Sequence, residues 1–199
     1  MSKPTRHRRA GRARRALLPG LLVLGWPLGA CSTSPPTPDR PIAAHIDPCP
    51  RGPGREVSGL PMLALDCLNG TGTVAISRLH GKPEIINIWA SWCAPCREEM
   101  PMLQRAHERL GGGVQFLGVD VKDSRSAARS FLADHGISYA QVSDPDGDLP
   151  LRLRLQGVPN TLFVTTDGTV VDRVIGRLDD HSLSEGISRL ALQRRSSED

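Results

Sequence analysis

Two cysteines at positions 93 and 96, separated only by Ala94 and Pro95, most constrain what this chain can fold into. They follow a short run rich in β-branched residues, 84–89, and open a segment, 94–110, whose apolar residues recur at helical spacing. Three consecutive glycines end that segment. The sequence therefore predicts a buried strand that passes into a helix through the cysteine pair.

The place of Cys93 at the start of a predicted helix has a chemical consequence. An ordinary thiol is mostly protonated at neutral pH, whereas the unpaired N–H groups and partial positive charge of a helix N-terminus favour the thiolate. We therefore expect Cys93 to be the exposed nucleophile and Cys96, nearly one turn later, to resolve the mixed disulfide. Pro95 suits the first turn, where its missing N–H is no loss.

Other uses of such a cysteine pair fit the sequence less well. Attachment of a c-type haem needs His after the second cysteine, but that residue is Arg97. A structural zinc site usually needs a second close pair of ligands, and Cys49 and Cys67 are far apart without a nearby His. We predict no metal site and no cofactor, with structural zinc and an inert structural pair as the alternatives.

The remaining patterns predict an α/β fold in which a central mixed sheet is flanked by helices. Asp167-Gly168 is a hairpin turn signal between the last two strands. After the cysteine pair, the predicted strands are 114–121, 161–165 and 169–174. The predicted helices are 124–135, 148–156 and 179–193. We expect residues 194–199 to be a frayed tail.

The first 30 residues predict a secretory signal peptide. A basic start is followed by an apolar, Leu-rich stretch, 16–30, that is too short for a comfortable membrane span. Its end, Leu28-Gly29-Ala30-Cys31, resembles a bacterial lipobox, which implies that Cys31 carries lipid. An uncleaved anchor, an ordinary cleaved signal and a buried helix are the alternatives. The proline-rich segment 31–56 is then expected to be a flexible, lipid-anchored tether.

The basic charge of the chain belongs to this leader. Subtracting its seven Lys and Arg charges from the formal net charge of +4 leaves −3 for the rest. Aromatic residues are also few, at 4%. Neither the charge nor the aromatic content of the body supports nucleic-acid binding.

Two further cysteines, Cys49 and Cys67, remain once Cys31, Cys93 and Cys96 are assigned. In an oxidising compartment they can form a structural disulfide, worth about 3 kcal/mol on a chain-entropy model. The alternative is that both are small buried thiols. We favour the disulfide because two free thiols would exchange with an active dithiol nearby.

A second segment, Gly157 to Thr161, supports redox use of the dithiol. Pro159 stands just before a predicted strand, and by itself this is a common position for proline. It can instead follow a cis bond and leave a backbone edge open to substrate, so Val158 and Pro159 are candidate substrate-binding residues. Trp92 adjoins the nucleophile, and we expect it to shield Cys93 and form part of the substrate surface.

The segments Trp89 to Pro101 and Gly157 to Val164 resemble the thioredoxin superfamily, and most closely its TlpA/ResA-like branch of extracytoplasmic thiol–disulfide oxidoreductases. The resemblance covers about residues 57–193 and implies a thioredoxin fold, catalytic Cys93 and Cys96, and a cis bond before Pro159. It also implies an exported, membrane-attached reductase. Its clients are protein disulfides, among them apocytochrome c, and a membrane thiol carrier reduces it again.

The sequence departs from cytoplasmic thioredoxins at Asn87, where they carry a buried Asp. Asn cannot accept the Cys96 proton, so we predict that Glu99, three residues after Cys96, takes that role. An acid at this position is also found in the ResA-like branch. The alternative is that Glu98 and Glu99 only complement the helix dipole.

We therefore expect an extracytoplasmic thiol–disulfide oxidoreductase that acts as a reductase at the cell membrane, and the resemblance implies a role in cytochrome c maturation. The same residues would serve an oxidant that forms disulfides in secreted proteins, since only the reduction potential separates the two. A peroxide-reducing enzyme would need a Pro-x-x-x-Thr-x-x-Cys pattern, and no Thr lies near Cys93. A non-catalytic binding module would not need both cysteines.

Overall fold

The structure of the protein, a computed structural model, describes residues 45–50, 54–56, 59–79 and 81–196. Strands come first, strands and helices then alternate, and two strands and a helix end the described chain. The elements, in chain order, are β1 (Arg55–Glu56), β2 (Ala64–Cys67), β3 (Thr73–Ala75), β4 (Arg78–Leu79), β5 (Glu84–Trp89), α1 (Ala94–Leu110), β6 (Gln115–Val121), α2 (Arg125–Asp134), β7 (Ala140–Asp144), α3 (Asp148–Arg152), β8 (Asn160–Val164), β9 (Val170–Ile175) and α4 (Asp180–Ser196).

Strand β5 lies in the middle of a seven-stranded sheet with the order β3-β2-β7-β6-β5-β8-β9. All six of its residues are buried, as expected of a strand covered on both faces. It pairs parallel with β6, which pairs parallel with β7, and antiparallel with β8. Antiparallel strands complete both edges, and β1 pairs with β4 in a separate sheet. The predicted α/β fold with a central mixed sheet and flanking helices is confirmed.

Alternate residues of β5 face two apolar clusters, one on each side of the sheet. Ile85 and Trp89 join a cluster that includes buried side chains of α1, α2 and α4. Ile86 and Ile88 join the other, which includes side chains of α3 and of the strands near the N-terminus. The helix that follows the cysteine pair is thereby held against the same face as α2 and α4.

Trp89, the last residue of β5, is fixed by a hydrogen bond as well as by packing. Its Nε1 donates to Oε1 of Gln141 on β7 over 2.9 Å, and both side chains are fully buried. Gly118 lies between them on β6, paired with Gln141 in the strand register. A Cβ atom at Gly118 would collide with the Gln141 amide, so a larger residue there would have to displace this side chain from Trp89. The end of β5, from which the chain enters the cysteine pair, is therefore rigidly placed.

Residues 45–50 pack against the rest of the domain. Ile46 is buried in the cluster that contains the dithiol helix. The Asp47 N–H donates to the Ser138 carbonyl over 2.7 Å, and its carboxylate lies 3.1 Å from Nε2 of His107. A disulfide joins Cys49 to Cys67, with 6.2 Å between their Cα atoms. Residues 45–50, which belong to the segment predicted as a tether, thus contact the folded domain.

Several elements differ from their predictions. Strand β7 was not predicted because its residues Ala-Gln-Val-Ser-Asp lack a continuous apolar run, although all five are buried. Strands β2 and β3 are too short to give a pattern. Helix α3 ends at Arg152 rather than 156, and Arg154 adopts a left-handed φ of 55° that cannot continue a helix. Helix α4 runs to Ser196, past the predicted end at 193.

The predicted signal peptide 1–30, the lipid site Cys31 and the first part of the tether lie outside the described residues. Within the described ranges, no helix combines the length and the apolar character that crossing a membrane requires.

Glu84 at the start of β5 makes the stability of the domain depend on pH. Burial raises its pKa from 4.5 to about 8, so between these values the folded state binds a proton that the unfolded state does not. The free energy of unfolding should therefore fall as the pH rises through this window. The Glu84→Gln change should make the free energy of unfolding fall less steeply with pH, as measured by chemical denaturation at mildly acidic and at alkaline pH.

The exposed Glu56→Gln change is the matched control and should leave the pH dependence of the wild type. Equal slopes for Glu84→Gln and the wild type would contradict this account of Glu84.

Candidate active site

The cysteine pair lies where β5 passes into α1. Cys93 is the N-cap residue of α1, with extended backbone angles of φ −86° and ψ 107°. Its Sγ accepts a hydrogen bond from the Cys96 N–H over 3.2 Å. A disulfide joins the two residues, whose Cα atoms are 5.3 Å apart. The sulfur predicted to be the nucleophile thus occupies the place that a capping side-chain oxygen usually takes.

The surroundings of Cys93 favour negative charge on its sulfur. The first turn of α1 holds no acidic residue, and Pro95 lies in that turn. A sulfur at this end of a 17-residue helix meets unpaired N–H groups and the positive end of the helix dipole. Once the disulfide is reduced, the same N–H that now meets the Cys93 sulfur would stabilise its thiolate.

The two cysteines differ in exposure. Cys93 is 4% exposed, whereas Cys96 is fully buried among the apolar residues of α1. Only Cys93 therefore offers solvent any part of its side chain. The sequence predicts an exposed Cys93, but its sulfur is almost fully buried because it caps α1 and is bonded to Cys96.

The residues that lead into Cys93 are held by the loop after β6. The Ser91 N–H donates to Asp123 Oδ2 over 2.7 Å, and Trp92 Nε1 donates to the Lys122 carbonyl over 3.0 Å. The Trp92 ring is 60% exposed, which is unusual for so large an apolar side chain. One edge of Trp92 is thus fixed while its face remains open to a partner.

The peptide bond between Val158 and Pro159 is cis. Pro159 is buried, and its carbonyl accepts from the Gly176 N–H over 3.0 Å. Val158 is half-buried and packs against the apolar cluster that contains both cysteines. The cis bond therefore lies just before β8, in a loop that packs against this cluster.

A groove of about 160 Å³ lies against Trp92, the residue that precedes Cys93. Trp92 and Val158 both line it, so the structure brings together two of the three predicted substrate-binding residues. The other side is formed by α3 and the turns around it, where Leu151 is 74% exposed. The groove is mostly apolar.

Glu99 lies on the buried side of α1, one turn after Cys96, and is 2% exposed. Its Oε1 accepts from Asn87 Nδ2 over 2.9 Å, and its Oε2 accepts from the Leu178 N–H over 2.7 Å. Burial raises the pKa of Glu99 from 4.5 to about 7, although both hydrogen bonds and the charge of Arg177 oppose the rise. Glu99 can therefore change its protonation state near neutral pH.

Asn87 holds Glu99 in place from the central strand. Its Nδ2 donates to Glu99 and also, over 3.3 Å, to Oγ1 of Thr161, its register partner on β8. Sequence reasoning noted Asn87 only as a departure from cytoplasmic thioredoxins and did not pair it with Glu99. Leu178 gave no signal at all, because a backbone N–H 79 residues away carries no sequence pattern. Asp123 and Lys122 were missed for the same reason.

The acidic turn after β7 has a structural role. The Asp144 carboxylate accepts from the backbone N–H groups of Asp148 and Leu149, over 3.0 and 2.8 Å, at the start of α3. Among the described residues, no group of three His, Cys, Asp or Glu side chains is placed to hold a metal ion. The arrangement that stands out chemically is the dithiol with its buried carboxyl neighbour.

Curated proteins similar to this chain are thiol–disulfide enzymes by name. The thiol:disulfide interchange protein DsbE of Pseudomonas fluorescens biotype C is 36% identical over 121 residues, which are 60% of this chain and 66% of that protein. DsbE of Escherichia coli K12 is 33% identical over 134 residues, 66% of this chain and 71% of that protein. ResA of Bacillus subtilis 168 is 28% identical over 131 residues, 65% of this chain and 73% of that protein. The chain thus spans just under two thirds of the P. fluorescens protein.

Solved structures give the same likeness. The structure of MTB DsbF in mixed oxidised and reduced forms superposes with a TM-score of 0.61 at 27% identity, covering 67% of this chain and 98% of DsbF. A DsbF homologue from Corynebacterium diphtheriae has a TM-score of 0.58 at 27% identity, over 70% of this chain and 87% of that one. The thioredoxin-like fold is therefore established.

The match to a family model covers the part of the chain that builds the site. The model of the AhpC/TSA family matches residues 59–173, from before β2 into β9. This range includes the dithiol, Glu99 and the cis bond before Pro159. With its dithiol at a helix N-terminus, its thioredoxin-like sheet and its DsbE and ResA relatives, the chain belongs to the AhpC/TSA family.

Proposed function

We propose that this chain is an extracytoplasmic thiol–disulfide oxidoreductase that reduces disulfides of exported proteins. The observation that carries the proposal is the Cys93 sulfur at the N-cap of α1, bonded to Cys96 and facing its N–H. The names of the relatives from P. fluorescens and B. subtilis support it. The leader and the Cys49–Cys67 disulfide support an oxidising compartment.

The proposed reaction exchanges one disulfide for another. The Cys93 thiolate attacks a sulfur of the client disulfide, which forms a mixed disulfide and releases one client thiolate. Cys96 then loses its proton and attacks Cys93, so that the Cys93–Cys96 disulfide forms and the second client thiolate leaves. Two electrons pass from the dithiol to the client. A membrane thiol carrier would return them to the oxidised pair.

The client class follows from the family resemblance. The TlpA/ResA-like branch serves the Cys-x-x-Cys-His pairs to which haem is attached, so we propose apocytochrome c as a client. The mostly apolar groove lined by Trp92 and Val158 includes the residue before Cys93 and suits an extended segment of such a chain. Peroxide reduction is not favoured, because the Pro and Thr of its pattern are replaced by Ile86 and Ala90.

The reduction potential of the Cys93–Cys96 pair tests the direction of the reaction. A reductase should have a potential of about −250 mV or lower, whereas a value of about −120 mV would identify an oxidant and contradict the proposal.

The full chain should also reduce insulin in the presence of a small dithiol. Cys93→Ser should abolish this activity. If the wild-type protein did not reduce insulin, the proposed disulfide reductase activity would be contradicted.

Glu99 is proposed to accept the proton of Cys96. It lies one turn from Cys96 on the buried side of α1, and its pKa of about 7 lets it be ionised above neutral pH. Its negative charge then opposes a Cys96 thiolate. Glu99→Gln should therefore lower the Cys96 pKa by about one unit and remove the rise of turnover through pH 7, as measured by thiolate absorbance and insulin reduction.

The neighbouring Glu98→Gln is the matched control, because Glu98 is exposed and pairs with Arg177 over 3.1 Å. It should leave the thiol pKa values as they are. If Glu99→Gln changed neither thiol pKa, Glu99 would have no such role.

Trp92, Val158 and Pro159 are proposed to contact the client. Trp92 presents its exposed ring beside the nucleophile and is anchored through Nε1. Trp92→Ala should raise KM for a protein client roughly tenfold, equivalent to about 1.4 kcal/mol, and leave reduction by a small dithiol unchanged. Steady-state kinetics with both substrates would measure this.

Met62→Ala is the control for a lost exposed apolar side chain, since Met62 is 80% exposed and outside the groove. An equal effect of both changes on KM, or none from Trp92→Ala, would remove Trp92 from the client surface.

The domain organisation is proposed to be a signal peptide, 1–30, a tether that begins at a lipid-modified Cys31, and the catalytic domain. The sequence Leu-Gly-Ala-Cys and the basic, apolar leader support this membrane attachment. Labelled fatty acid should be incorporated into the wild-type protein in a bacterial host. Incorporation into Cys31→Ser at the wild-type level would show that Cys31 is not the lipid site.

A further inference from the structure

Asp120 is a buried acid that the proposed mechanism does not use. It lies near the end of β6, between Trp89 on β5 and Ser143 on β7 in the strand register. By alternation along β6 it shares a face with Phe116, which belongs to the cluster of the dithiol helix. Asp120 is 0% exposed, and neither carboxyl oxygen meets a hydrogen-bond donor among the described residues.

The Asp120 carboxyl interacts with a second acid, Asp123. The Asp123 side chain lies within hydrogen-bonding reach of the Asp120 carboxyl. Ionised carboxylates only accept hydrogen bonds, so these two can bond only when one of them carries a proton. Burial first, and then the charges of Asp123 and Asp144, raise the pKa of Asp120 to about 8. At neutral pH the proton therefore belongs to Asp120.

Other charged groups near this pair are engaged elsewhere. Asp144 accepts two backbone N–H groups at the start of α3. Arg125 of α2 pairs with Asp66 over 2.9 Å and donates to the Cys67 carbonyl. The aliphatic part of the Lys122 side chain lies against Gly147. The register neighbours of Asp120 on β5 and β7 do not titrate in this pH range.

Asp123 links this acid pair to the dithiol. Its Oδ2 accepts the Ser91 N–H, and its Oδ1 accepts the Ser124 N–H, each over 2.7 Å. The carbonyl of the preceding residue, Lys122, accepts Trp92 Nε1. Two successive residues of one loop therefore hold the two residues that precede Cys93.

We infer that Asp120 is a positioning residue for the dithiol, and that it acts by donating its carboxyl proton to Asp123, which holds the Ser91 N–H. Loss of that proton leaves two adjacent carboxylates that repel each other. Asp123 is only partly buried, so it turns toward water and releases Ser91. The consequence for redox catalysis rests on the proposed function, whereas the contact itself does not.

The amide of Ser91 reports this contact directly. In the oxidised, ¹⁵N-labelled full chain, where neither Cys93 nor Cys96 titrates, its proton resonance is followed between about pH 6 and about pH 10, around the Asp120 pKa of about 8. We expect a downfield shift at low pH that is lost with a midpoint near 8. Asp120→Asn should abolish the transition, because its amide donates to Asp123 at every pH. The exposed Asp134→Asn control should keep it.

A Ser91 amide that does not move with pH in the wild type would overturn the inference, even if Asp120→Asn fails to fold. So would a transition with the same midpoint in Asp120→Asn, which would assign it to Glu99 or another acid. Because the oxidised protein is inactive in this experiment, the result does not depend on insulin reduction. A chain that shows the titration but reduces no disulfide would support the inference and overturn only the proposed function.

Discussion

The contact between the Cys93 sulfur and the Cys96 N–H is the one on which the rest of the site depends. It places a sulfur at the positive end of α1, where the helix N–H groups and the helix dipole stabilise a thiolate. It also sets the second sulfur close enough to bond with the first, since the Cα atoms are 5.3 Å apart.

The surrounding fold serves mainly to keep this contact in place. Strand β5 is buried on both faces, and its last residue is tied to β7 through Gln141. The loop after β6 holds Ser91 and Trp92 through two hydrogen bonds. On the far side of α1, Asn87 and the Leu178 N–H hold the carboxyl of Glu99. Three separate parts of the sheet therefore position one helix start.

These polar contacts also give the site its acid–base character. The pKa values of Glu99 and Asp120 are raised to about 7 and about 8, in both cases chiefly by burial. Each acid lies beside a different part of the dithiol segment: Glu99 on the helix and Asp120 behind the loop that precedes it. The first is proposed to take a proton from Cys96, and the second to hold Asp123, which accepts the Ser91 N–H.

Local features could be predicted from the sequence because their signals are local. The strand 84–89 and the helix 94–110 have the predicted bounds, since a β-branched run, a first-turn proline and terminal glycines define them. Strand β7 escaped prediction because polar residues inside a buried strand break its pattern. The partners of Glu99 and Ser91 come from elements 79 and 32 residues away, and only the register of the sheet brings them together.

The most direct test of the central claim is the pH dependence of Cys93 alkylation in the reduced, folded protein, measured in Cys96→Ser so that Cys93 is the reactive thiol. A sulfur stabilised by the start of α1 should alkylate with an apparent pKa of about 7 or lower. An apparent pKa of about 8.5 or higher, the value of an ordinary cysteine, would contradict the account.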